Sequence, residues 1–233
     1  MALKDDLDSF VKNSFKNQWE VRKGQVVPEP KDLNSGNDAI EFERATVLYA
    51  DISGSTTMVN SMSWEKSAEI YKSFLYCAAR LITDNGGTIT AYDGDRVMGI
   101  FVGDAQSTPA AKCALKINYA AKSIIMPAFK AQYPQDGFTL RHIVGIDTSA
   151  IKVAKTGVRG DNDLVWVGRA ANYAAKLTEL SADFSTWITG DLFSRLNDDA
   201  KFGGNPPQLM WTKYPWSAMN NIEIYGSTWH WSL

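Results

Sequence analysis

The sequence predicts an α+β fold with a βαββαβ core and additions at the C-terminus. Three observations carry this: a continuous apolar run ending in a carboxylate, ATVLYADI; a hairpin signal, TITAY and RVMGIF around Asp93-Gly94-Asp95; and long helical periodicities on either side of that hairpin. A length of 233 residues, 45% hydrophobic, 12% aromatic and 21% charged, suits one catalytic-sized domain with arms and excludes a disordered or coiled-coil chain.

The elements follow in order. Residues 1–43 read as a helical arm and linker: Leu7, Phe10, Val11 and Phe15 recur at helical spacing, and VVPEPKDLNSGND is rich in turn formers. Residues 44–233 form the domain proper. ATVLYADI, from Ala45, is a buried strand, and SGSTT after it is a small-residue turn. A helix fits Ser63 to Asn85, with Ser63 as its cap, Tyr71, Phe74, Leu75, Ala78, Leu81 and Ile82 on one face, and Gly86-Gly87 as its stop. Asp93-Gly94-Asp95 closes a tight hairpin. A second long helix fits Thr108 to Gln132, with Pro127 as a kink or an end. LRHIVGID and IKVAKTG read as strands, and LVWV leads into a helix GRAANYAAKLTEL. Trp211, Trp216, Trp229 and Trp231 are read as core or dimer packing.

Charge and composition narrow the function. With 24 basic and 26 acidic side chains the net charge is −2, so no global field holds a nucleic-acid polymer or an anionic membrane. Two cysteines, Cys77 and Cys113, in helix-like stretches and two histidines, His142 and His230, argue against a disulfide framework and against zinc. No apolar run is long enough to span a bilayer, and the acidic start is unlike a signal peptide, so a cytoplasmic protein is expected.

The chemistry gathers at one sheet edge. Asp51 ends the first strand and Asp95 sits in the hairpin that this topology lays beside it. Paired carboxylates without histidine favour hard cations, Mg²⁺ or Mn²⁺, completed by phosphate oxygens. Ser53-Gly54-Ser55-Thr56-Thr57, entering a helix, offers backbone N–H groups to a phosphate. Each piece alone is an ordinary turn, and Arg169 and Lys176 alone are solvated charges. Order and spacing together give the signal.

Over residues 43–200 the chain resembles the class III nucleotidyl cyclase catalytic domain, whose core is ferredoxin-like. ATVLYADISGSTTM is similar to that family's first strand and phosphate loop, GGTITAYDGDRVMGIF to its hairpin, and VWVGRAANYAAKL to its interfacial segment. The resemblance implies a head-to-tail homodimer with composite sites. Asp51, Asp95 and the Ile52 carbonyl would hold two divalent cations, Mg²⁺ or Mn²⁺. Gly54, Ser55, Thr56 and Arg169 would bind the nucleoside triphosphate. The second copy would supply Asn172 to orient the ribose and Lys176 to stabilise transition-state charge. The family normally has arginine at that last position; lysine keeps the charge and loses the planar fork.

The purine-reading positions hold Ala91 and Val165, which offer no hydrogen bonds to a purine edge. Tyr49, on the strand face of Asp51, narrows a base pocket as readily as it fills a core. With no sensor domain, the chain is most similar to the pyrimidine cyclases of bacterial anti-phage signalling. Those make cyclic UMP or cyclic CMP for a separate effector protein, and UTP is favoured over CTP. The alternatives are an adenylate or guanylate cyclase, a degenerate domain that only binds nucleotide, and a diguanylate cyclase, whose Gly-Gly-Asp/Glu-Glu-Phe hairpin is replaced here by Tyr-Asp-Gly-Asp-Arg. The C-terminal phosphate-binding lysine of the family has no clear counterpart beyond Lys201 or Lys213.

Overall fold

The computed structural model describes residues 2–158 and 161–233. Its first half runs α1 (Leu3–Lys16), β1 (Glu20–Lys23), β2 (Asp38–Ile52), α2 (Ser55–Ser61), α3 (Trp64–Asp84), β3 (Thr88–Asp93), β4 (Arg96–Phe101) and α4 (Ser107–Ala120). A π-helical turn (Ala121–Ile125) joins α4 to α5 (Met126–Gln132). Then come β5 (His142–Val158), β6 (Asp161–Val167), α6 (Arg169–Leu177), β7 (Thr186–Thr189), α7 (Gly190–Ser194) and α8 (Asp198–Lys201). The chain ends with β8 (Phe202–Gly203), β9 (Gln208–Leu209), β10 (Thr212–Trp216) and β11 (Ile222–Ser227).

The main sheet has the order β10-β11-β7-β5-β2-β4-β3, with β1 beside β2 and β6 beside β5. The βαββαβ core is β2, α3, β3, β4, α4–α5 and β5, and β2 lies antiparallel between β4 and β5. Alternation along β2 sorts its side chains to two faces. Leu48, Ala50 and Ile52 pack under α3 and α4, against Phe74, Ile82 and Ala114. Ala45 and Val47 point the other way, toward Ala170, Ala171 and Ala174 of α6. That helix lies flush because β5 presents Gly145 beneath it: a Cβ there would run into the Ala174 carbonyl oxygen.

Several boundaries differ from the sequence reading, each for a physical reason. β2 begins at Asp38, before the apolar run, because a register shift between Phe42 and Ala45 lets it keep pairing with β5. Inside the segment read as arm and linker, β1 pairs in parallel with that early part of β2, Glu20 opposite Asp38. Leu33 of the linker is buried, while the apolar stripe of α1 remains exposed. LRHIVGID and IKVAKTG are one strand, carried through Thr148, whose hydroxyl donates to the Ala45 carbonyl at 3.2 Å. The helix from Ser107 passes through Pro127 to Gln132. The missing proline N–H falls where the helix has widened into the π-helical turn. Ser63 stands at the N-cap of α3 without a side-chain cap bond; its carbonyl instead accepts from the Ser67 hydroxyl at 3.2 Å. Trp211 and Trp216 are buried, and Trp229 and Trp231 pack against the larger core.

Candidate active site

Register brings the two carboxylates together. Asp51, next to last in β2, is paired with Arg96, the first residue of β4. Asp93 is also opposite Arg96, so the turn is Gly94-Asp95, with Gly94 at φ 61 in the first turn position, where a type II′ turn needs glycine. Asp95 thus hangs from the turn beside the end of β2. Its Oδ2 is buried with no hydrogen-bond partner among the described residues. Burial first, and then the Asp95 charge, push the Asp51 carboxyl up to about 6, with Arg96 opposing them.

An orphaned carboxylate oxygen beside a neighbour that resists ionisation is the electrostatic complement of a cation. The donors are carboxylate oxygens with the Ile52 carbonyl at the strand end, a hard set that fits Mg²⁺ or Mn²⁺. Among the described residues no group of three or more His, Cys, Asp or Glu side chains could hold a metal alone. A cation at this pair needs further oxygens, as a triphosphate provides.

The small-residue turn is shorter than the sequence suggests. Gly54, at φ 75, is already the N-cap of α2, so Ser55 and Thr56 form its first turn, where N–H groups lack helical acceptors. The buried Met58 was the available signal for this helix. The Ser53 N–H donates to the Arg141 carbonyl at 2.9 Å and fixes the loop to the start of β5.

Tyr49 is half-buried, and burial raises its phenol. The Arg96 guanidinium carbon lies 5.2 Å from the ring centroid. Tyr49, Met98 and Ala91 share one rung across β2, β4 and β3. Val165 lies elsewhere: it pairs with Ala154, which pairs with Ala39 at the far end of β2. Ten strand residues separate Ala39 from Tyr49, on the order of 30 Å. One chain therefore does not bring the two purine-reading positions together.

On α6, Ala170, Ala171, Ala174 and Leu177 are buried, which turns Asn172 and Lys176 outward, one helical turn apart and exposed. Neither side chain has a hydrogen bond or ion pair among the described residues. Arg169 is different. Its guanidinium donates to the fully buried Asp147 (3.0 Å from Nε), to the Thr148 carbonyl (2.7 Å) and to Asp191 (2.5 Å). Those donors are committed to holding α6 against β5 and α7. Lys213 pairs with Glu223, and Lys201 lies over the Phe193 ring. Arg96, Asp147 and Asp191 were missed from sequence. Arg96 was the findable one, since it directly follows the hairpin turn.

No family model matches the chain. It is 52% identical to a uridylate cyclase of Burkholderia cepacia and 49% identical to one of Xanthomonas perforans, over the whole length of each pair. A uridylate cyclase of Rhodovulum is 39% identical across 98% of this chain and 97% of its own. Among solved structures, the adenylyl cyclase CyaB from P. aeruginosa superposes with a TM-score of 0.65 at 20% identity, covering 81% of this chain and 95% of that one. The guanylyl cyclase Cya2 gives 0.67 at 16% identity, covering 82% and 94%. These two share the fold, a class III cyclase domain in both. With such identity over full length, on the fold of the cyclase domains, the chain belongs to the uridylate cyclase family of nucleotidyl cyclases.

Proposed function

We propose that the protein cyclises a pyrimidine nucleoside triphosphate, UTP ahead of CTP, to the 3′,5′-cyclic monophosphate and pyrophosphate. The observation that carries this is the Asp51–Asp95 pair with its unpartnered Asp95 oxygen, next to the Gly54 loop. Asp51, Asp95 and the Ile52 carbonyl are the groups to hold two divalent cations, Mg²⁺ or Mn²⁺. Such ions, when bound, lower the pKa of the 3′-hydroxyl and neutralise triphosphate charge. The first-turn N–H groups of Ser55 and Thr56 donate to phosphate oxygens.

The 3′-oxygen attacks the α-phosphorus in line; a P–O bond forms, the bond to the β-phosphate bridge breaks, and the hydroxyl proton passes to solvent. A second copy of the chain, packed head to tail, supplies Asn172 to orient the ribose and Lys176 to meet the charge on the phosphoryl oxygens. Two observations support a shared site: Asn172 and Lys176 stand exposed and without partners among the described residues, and Val165 of one chain is far from its own Ala91 rung. Tyr49 and Ala91 border the base, where neither offers a purine the paired hydrogen bonds it needs.

The likeness to uridylate cyclases, with the Tyr49–Ala91 rung, supports cyclic UMP as a second messenger of anti-phage defence, made in the cytoplasm and read by a separate effector protein. Among the described residues no helix is long and apolar enough to cross a membrane. The test is incubation of the purified protein with Mn²⁺ and each of the four nucleoside triphosphates, with products resolved. Cyclic UMP is expected as the main product, cyclic CMP second. Faster cyclisation of ATP or GTP overturns the base assignment, and no pyrophosphate from any substrate leaves a domain that only binds nucleotide.

A further inference from the structure

On the sheet face opposite Asp51, a cavity of about 390 Å³ opens where the π-helical turn, α5, the start of β5 and the segment after β11 meet. Two polar side chains of its wall are almost wholly buried, and each keeps a polar atom unpaired among the described residues. His142 is 4% exposed and its Nε2 has no partner. Asn118 is 0% exposed; its amide nitrogen donates to the Thr228 and Trp229 carbonyls at 3.0 and 2.7 Å, yet its Oδ1 accepts nothing. Buried polar atoms are seldom left this way, because water's hydrogen bonds have been given up for none. Burial, and then the Lys122 charge, lower the His142 pKa to about 4, so the ring is neutral and Nε2 can donate or accept.

The mouth is cationic. Lys122, Lys130 and Arg141 are exposed lining residues, and Asp183 is the one acid among the cavity's lining. Lys122 reaches the Thr228 carbonyl at 3.3 Å and Arg141 reaches Asp183 at 3.4 Å, both long contacts. Lys130 has no partner among the described residues. Lys122 also belongs to the π-helical turn, a local widening that recurs at functional sites. The volume exceeds a bare phosphate ion and falls within the range of small-molecule sites.

We propose that this cavity binds a phosphate-bearing anion, its phosphate held by Lys122, Lys130 and Arg141; Asn118 Oδ1 and His142 Nε2 lie just behind the wall, closed off from solvent, and register the occupant without touching it. The site stands back to back with the catalytic loop. His142 is the register partner of Ile52, and the Arg141 carbonyl accepts the Ser53 N–H. An occupant therefore bears on the strand that carries the loop.

The chain has two histidines, so imidazole carbon-13 NMR reads the site directly, with His230→Gln assigning the signals. The full chain is titrated in EDTA at constant ionic strength with inorganic phosphate, ribose 5-phosphate and 5′-UMP in turn. A saturable shift of His142, with His230 unmoved, is expected from at least one of them. Tighter binding of an ester than of inorganic phosphate supports an organic phosphate, and equal binding supports free phosphate. Lys122→Gln with Lys130→Gln should weaken binding at least tenfold at an unchanged ligand-free melting temperature. No saturable shift with any of the three, or equal binding by the double variant, overturns the proposal.

Discussion

Asp51 holds its proton more tightly in the folded chain, at about 6, than at the ordinary 3.8. The folded state then binds more protons than the unfolded one between those values, so metal-free stability falls as pH rises from about 4 through 6. Asp51→Asn removes this penalty. Because the group is partly exposed and screened, about 1 kcal/mol is expected, or roughly 2–4 °C in melting temperature at pH 7.5, vanishing near pH 4. Saturating Mn²⁺ should reverse the order, stabilising the parent and leaving the variant unmoved, while turnover by the variant is abolished. Equal stabilisation of both by Mn²⁺ would refute the metal assignment. At Tyr49 the readout is selectivity: Tyr49→Ala opens the rung beside Ala91 and should raise kcat/KM for ATP relative to UTP by roughly tenfold.

At the scale of elements, α6 decides where Asn172 and Lys176 point, and two devices seat it. One is Gly145, where Gly145→Ala sets a methyl against the Ala174 carbonyl, backbone that cannot turn away. A loss of about 1–3 kcal/mol is expected from urea denaturation, with kcat falling more than KM changes. The other is Arg169, which neutralises Asp147, a carboxyl raised by burial and held down by Thr189 and Arg169. Arg169→Ala leaves that carboxyl buried without its counter-charge, with the Thr189 hydroxyl still donating to it, at a cost of about 3–5 kcal/mol. Adding Asp147→Asn should recover a good part of the loss. If it recovers none, the pair does not seat the helix.

For the whole molecule, the shared site makes a sharp prediction. Asp51→Ala and Lys176→Ala should each be inactive alone. Mixed and allowed to exchange, they should recover roughly a quarter of parental activity, since half the dimers are mixed and each has one intact site. No recovery despite exchange would sink the composite dimer. Legibility in the sequence divides along the same lines. The β-α-β-β order and the Asp51–Asp95 juxtaposition follow local rules, a strand-end carboxylate and a turn dipeptide, whereas Asn172 and Lys176 were singled out by the family resemblance alone. The early start of β2, its pairing with β1 and the Arg169–Asp147–Asp191 cluster did not show. Each joins segments whose nearness depends on tertiary register, and Arg169 read alone as a solvated charge and, through the resemblance, as a group for the triphosphate. His142 and Asn118 were invisible as a pair for the same reason.

The place of β2 between β4 and β5 also has a kinetic side. One of its edges is closed early by a nearby hairpin strand. The other waits for β5, as the bond from Thr148 to Ala45 across 103 residues shows. Contacts that distant form slowly, and until they do an apolar strand keeps a bare edge open to other nascent chains. Substitutions that weaken β5 should therefore lower the soluble yield of the protein in warm-grown cells before they lower the specific activity of what is recovered.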